Sequence, residues 1–80
     1  MTTVHVRLFA ALRELAGASE VDVSGVTVDD LVSVLSERYG ERFAKVARAG
    51  SVVVSGERVS ADRALADGDE VALLPPVSGG

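Results

Sequence analysis

The sequence predicts an α+β domain in which a mixed sheet is covered on one face by one main helix. Three observations carry this. Apolar and polar residues alternate near both ends of the chain; one central stretch repeats its apolar residues at intervals of three and four; and strands and helices do not follow each other in the regular order that builds a parallel sheet.

Thr3 to Phe9 alternates, with Val4, Val6 and Leu8 on one face and His5, Arg7 and Phe9 on the other, which is the period of a strand. Ala10 to Ala16 then turns to helix formers, with Leu12 and Leu15 three apart and Gly17 as a stop, and predicts a short helical turn. Glu20 to Val23 alternates again with Val21 and Val23 inward, and Ser24-Gly25 is turn chemistry. Val28, Leu31, Val32, Leu35 and Tyr39 form one apolar helix face. Thr27 stands at its N-cap, Asp30 in capping-box position, Asp29 and Asp30 in the first turn where the helix dipole favours them, and Gly40 at its end. Glu41 to Gly50 shows no decisive period and reads as loop with at most one helical turn. Ser51 to Ser55, with three successive valines, reads as a strand buried on both faces, after which Gly56 turns the chain toward Val59. Asp62 to Ala66 is a short turn holding Leu65, Asp67-Gly68-Asp69 a tight turn, and Glu70 to Leu74 a last strand. Pro75-Pro76 ends the sheet, so the chain divides into a domain over 1–74 and an extended tail over 75–80. A β-grasp arrangement suits this order. Its first two strands form a hairpin, the helix crosses the sheet, and the last strand lies beside the first.

Composition narrows the function. Eighty residues make one modest core, hiding about 60 to 70% of the unfolded surface, and no deep enclosed active site. There is no cysteine, hence no disulfide, thiolate metal site or cysteine nucleophile, and a reducing compartment is expected. Twelve acidic residues against eight basic ones, with Lys45 the single lysine, oppose binding to nucleic acid or anionic membranes. Met1 to Leu8 lacks the basic leader and apolar run of a signal peptide, and no stretch reaches the length of a membrane span, so a cytoplasmic protein is expected. A mean hydropathy of +0.30 is high for so small a domain and points to apolar surface that meets a partner.

No catalytic constellation assembles in the body of the domain. His5, the one histidine, reads as a solvent-facing or edge residue rather than a general base. Asp67, Asp69 and Glu70 open like a calcium loop but lack its twelfth-position glutamate, and no glycine pattern for phosphate is present, so no metal site is expected. The tail differs. Val71 to Gly79 carries no charged side chain, and the six residues from Pro75 reach about 20 Å when extended. Gly79 and Gly80, without Cβ atoms, pass a narrow channel and leave the terminal carbonyl open to attack. The reactive group would be the Gly80 carboxylate. As a poor electrophile it needs activation, for instance as an acyl-adenylate, before sulfide or an amine displaces AMP.

Val6-Arg7-Leu8-Phe9-Ala10-Ala11-Leu12-Arg13-Glu14-Leu15-Ala16-Gly17, Asp67-Gly68-Asp69-Glu70-Val71-Ala72 and Pro75-Pro76-Val77-Ser78-Gly79-Gly80 together resemble the MoaD/ThiS superfamily of ubiquitin-like β-grasp sulfur carriers, and within it MoaD, the small subunit of molybdopterin synthase. The resemblance implies no permanently bound cofactor and a cycle run by partners. A MoeB-like adenylating enzyme uses ATP on Gly80, a sulfurtransferase makes the thiocarboxylate, and the tail enters a MoaE-like large subunit, where cyclic pyranopterin monophosphate takes the sulfur to form the molybdopterin dithiolene. The assembly implied is a heterotetramer, and the chain is no enzyme on its own. Carried over by position, Gly80 bears the sulfur, Gly79 is the flexible spacer, Val77 and Ser78 line the channel, and Pro75 and Pro76 hold the tail off the sheet. Phe9, Leu73 and Leu74 are the expected partner contacts. Leu73 and Leu74 stand where some relatives have aromatic residues, and Ser55 where many have asparagine. Two alternatives share the activated tail: a sulfur carrier for thiamine thiazole or tRNA thiolation, and a ubiquitin-like modifier. A third, a plain binding module, does not need it.

Overall fold

The computed structural model describes residues 2–76. Its elements follow in the order β1 (Thr3–Leu8), α1 (Ala10–Ala16), β2 (Glu20–Ser24), α2 (Val28–Tyr39), α3 (Glu41–Ala49), β3 (Ser51–Val54), β4 (Glu57–Val59) and β5 (Glu70–Leu74). The strands make one sheet in the order β2-β1-β5-β3-β4. β1 is antiparallel to β2 and parallel to β5, so the first and last strands lie together at its centre. Val6 is opposite Val21 on one side and Val71 on the other, and is fully buried. This is the ubiquitin-like β-grasp fold, with helices on one face of a mixed sheet.

Period-two burial sorts the strands. Val4, Val6, Leu8, Val71, Leu73 and Val54 point to the helices, whereas His5, Arg7 and Ala72 stand on the opposite, open face. α2 supplies Val28, Leu31, Val32 and Leu35 to the core, all four buried. Its start is tied twice: the Asp30 N–H donates to Thr27 Oγ1 at 3.2 Å, and the Thr27 N–H donates to Asp30 Oδ2 at 3.1 Å. Both bonds satisfy amides that a helix start leaves without partners.

Three expectations change. Glu41 to Ala49 is a helix, not a loop, because Phe43, Val46 and Ala47 share one face and dock beside α2. Phe43 is fully buried, with its ring centroid 5.3 Å from that of Tyr39. Phe43, Val46 and Ala47 stand at i, i+3 and i+4, a spacing present in the sequence, and packing against α2 and the core fixes the helix. β1 ends at Leu8, and Phe9 is the N-cap of α1 in extended geometry. The valine run is not buried on both faces: Val54 is in the core, whereas Val53 is only half-buried on the open face. Beyond it, Ser55 at φ 50° and Gly56 at φ 85° form the two-residue turn into β4, a short edge strand.

Candidate functional site

The root of the tail is set by three segments meeting. β5 ends at Leu74, which pairs with Ser51 at the start of β3, and Gly50 precedes Ser51 at the end of α3. A Cβ on Gly50 would overlap the Leu74 carbonyl oxygen and lie 3.0 Å from the Pro75 carbonyl carbon. Only glycine lets the backbones approach this closely. Pro75 is half-buried at this junction and Pro76 is exposed, and neither has an N–H to donate to a ladder. Val77, Ser78, Gly79 and Gly80, expected to carry the chemistry, lie outside the described residues.

Beside this root is the open face of the sheet. Ala72 of β5 is flanked by Arg7 of β1 and Val53 of β3 in register. With Phe9 and Ser55 they border a shallow depression of about 270 Å³. The small Ala72 side chain makes it a hollow, and Phe9, 38% exposed, gives it an apolar wall. Leu74 falls on the same face as Ala72 by alternation and is half-buried. Leu73 does not belong to this surface. It is 1% exposed and fills the core, so the partner contact expected of it is corrected to a packing role.

At the far side of this face His5 stands between two carboxylates of β2. Its Nε2 is 2.6 Å from Glu20 Oε1, and its Nδ1 is 3.0 Å from Asp22 Oδ1. The hydrogen bond to Asp22, then that to Glu20, raises the imidazole above its ordinary pKa, and the bond from His5 holds Glu20 below its own. Arg7 Nε lies 3.7 Å from the same Glu20 oxygen. These exposed charges join β1 to β2. Among the described residues the imidazole is bonded to these two carboxylates and to no serine or threonine hydroxyl.

Among the described residues no group of three His, Asp or Glu side chains is placed to hold a metal, and no helix is long and apolar enough to cross a membrane. What this arrangement offers is a sheet face with a hollow bordered by Phe9, Val53 and Ala72, with Arg7 and Glu70 also lining it. Gly50, Val53 and Ala72 were missed by sequence reasoning. Ala72 carries a faint signal as a small residue at an outward position of β5, and Gly50 carries none, because its requirement comes from a strand distant in sequence.

The profile of the ThiS family matches residues 6–80. The molybdopterin synthase sulfur carrier subunit of Escherichia coli (strain K12) is 40% identical over 81 residues, spanning 96% of this chain and 99% of its own. Small archaeal modifier protein 1 of Haloferax volcanii is 38% identical over 88 residues, spanning 92% of this chain and 97% of its own. The solution structure of small archaeal modifier protein 1 from Methanosarcina acetivorans has a TM-score of 0.87 at 31% identity, covering 100% of this chain and 98% of that one.

Proposed function

Since this chain belongs to the ThiS family, among ubiquitin-like sulfur carriers and modifiers, we propose that it carries sulfur as a thiocarboxylate on its C-terminal residue, Gly80. The observation that carries this reading is the uncharged Pro75-Pro76-Val77-Ser78-Gly79-Gly80 ending on a chain matched by the family through residue 80. A Gly80 carboxylate oxygen attacks the α-phosphorus of ATP in an adenylating partner, and pyrophosphate leaves. A sulfur nucleophile then attacks the carbonyl carbon and AMP departs; with hydrosulfide the product is the thiocarboxylate and a proton. This domain contributes no acid or base to either step. It supplies the electrophile on a tail rooted at Leu74 and Pro75, and a hollow formed by Arg7, Phe9, Val53 and Ala72 on which the partner rests.

Two acceptors are supported by different observations. The 40% identity to a molybdopterin synthase sulfur carrier subunit favours transfer to the pterin precursor of the dithiolene, inside a large partner subunit that receives the tail. The likeness to small archaeal modifier protein 1, in sequence and fold, favours a modifier whose activated Gly80 is taken by a lysine amine, or a carrier serving another pathway. Supplying the activated protein separately with cyclic pyranopterin monophosphate plus a large subunit, and with a cell extract, separates these. Dithiolene formation supports the first, and amide-linked conjugates the second. Deleting Gly80, or adding one residue after it, abolishes both outcomes; activity that survives either change contradicts the proposal.

A further inference from the structure

One cross-strand row runs through all five strands of the sheet. Glu20 is in register with Arg7, Arg7 with Ala72, Ala72 with Val53, and Val53 with Arg58. Ala72 stands on the open face and residues in register share a face, so the five side chains form a line there. The small Ala72 and the half-buried Val53 make the middle of the row, with a guanidinium on either side. At about 4.8 Å per strand, the Arg58 backbone is about 10 Å from that of Ala72.

The two guanidiniums differ in their partners. Arg7 Nε lies 3.7 Å from Glu20 Oε1, so its charge is shared with a carboxylate of the same row. Arg58, exposed on the edge strand β4, donates from Nη2 to Ser51 Oγ at 2.8 Å, and among the described residues it forms no ion pair. This bond to a neutral oxygen uses one of five N–H donors and holds the guanidinium toward Ser51, which pairs with Leu74 at the root of the tail. The acids of the face gather on its other side, where Asp22 and Glu70 are both in register with His5. The face is therefore polarised, with carboxylates toward β2 and a guanidinium at the β4 edge.

We propose that Arg58 determines which adenylating partner accepts this chain, by pairing with a carboxylate that flanks the apolar group seated against Phe9, Val53 and Ala72. The hollow alone discriminates little among apolar groups, whereas a guanidinium fixed beside it favours a carboxylate and opposes a cation. The charge and the hollow lie in one row on one face, and Ser51 joins them to the tail root. Adenylation is common to the carrier and modifier readings, so the adenylating enzyme is the occupant that both require. Naming that occupant rests on activation at Gly80, whereas the charge pattern does not.

The test is ATP–pyrophosphate exchange by the adenylating enzyme that serves carriers of this class in the same organism, measured across concentrations of the full-length chain. Arg58→Ala is expected to raise the chain concentration for half-maximal exchange about tenfold and Arg58→Glu about a hundredfold, with Arg58→Lys between Arg58→Ala and the wild type. Urea unfolding checks that each variant folds. Arg42→Ala, which removes the same charge from α3 on the helical side, keeps the wild-type value. One Asp→Lys or Glu→Lys change on the enzyme should restore exchange with Arg58→Glu. An unchanged value for Arg58→Ala, or an equal rise for Arg42→Ala, overturns the proposal and leaves activation at Gly80 standing. Absence of exchange with the wild-type chain overturns the reading of Gly80, and this inference with it.

Discussion

Gly50 and Leu74 meet backbone to backbone. A Cβ on Gly50 would lie 2.9 Å from the Leu74 carbonyl carbon and overlap its oxygen. The contact locks the end of α3 to the end of β5, where the chain leaves the sheet. Gly50→Ala is therefore expected to destabilise the protein by about 3 kcal/mol, the upper end of overpacking costs, because the obstacle is backbone rather than a side chain that could rotate away. Urea unfolding checks this. An unchanged midpoint would mean that the junction is loose and does not aim the tail.

The capping box of α2 makes a smaller prediction. Thr27→Ala removes the acceptor for the Asp30 N–H while leaving the apolar face of α2 intact. A loss of about 1 kcal/mol is expected in the same unfolding experiment, with an unchanged slope against denaturant.

The His5 cluster predicts a pH profile. Its raised pKa means that folding favours the protonated ring, a contribution present below the unfolded histidine value, about 6.5, and lost as pH rises through the folded value. The lowered Glu20 value works in the opposite direction: its contribution is present above the unfolded carboxyl value, about 4.3, and lost as pH falls through the folded one. Both act between these limits. Stability of the wild type relative to His5→Gln should therefore fall as pH rises past the unfolded histidine value, about 6.5, and through the raised folded one. Parallel profiles for the two proteins would show that the exposed cluster contributes nothing.

Ala72 tests the open face. Ala72→Glu places a charged chain in the hollow between Arg7 and Val53, on a face that carries no core residue, so the fold is retained. Binding to the adenylating partner is expected to weaken about tenfold, or ~1.4 kcal/mol. Wild-type affinity would move the docking surface elsewhere.

Local chemistry made most of the fold legible. The faces of β1 and β5 follow from alternation, and α2 from the Val28-Leu31-Val32-Leu35 spacing, with Thr27 and Gly40 marking its ends. Features decided by distant segments were hidden. α3 depends on Phe43 reaching Tyr39 and the core, and Val53 is half open because no helix lies on its side of the sheet, whereas Leu73 shares the buried face of Val71 by alternation and only the resemblance placed it at a partner surface. The reactive end proposed at Gly80 lies outside the described residues, and its reading rests on the sequence: an unhindered carbonyl on an uncharged tail.

The central claim, that Gly80 carries sulfur, is tested most directly by the intact mass of the protein after incubation with ATP, an adenylating enzyme that accepts it and a sulfur source. A gain of about 16 Da, one carboxylate oxygen replaced by sulfur, is the predicted result, and it should be absent when one residue is added after Gly80. An unchanged mass in the presence of an enzyme that demonstrably activates Gly80 would contradict the carrier reading.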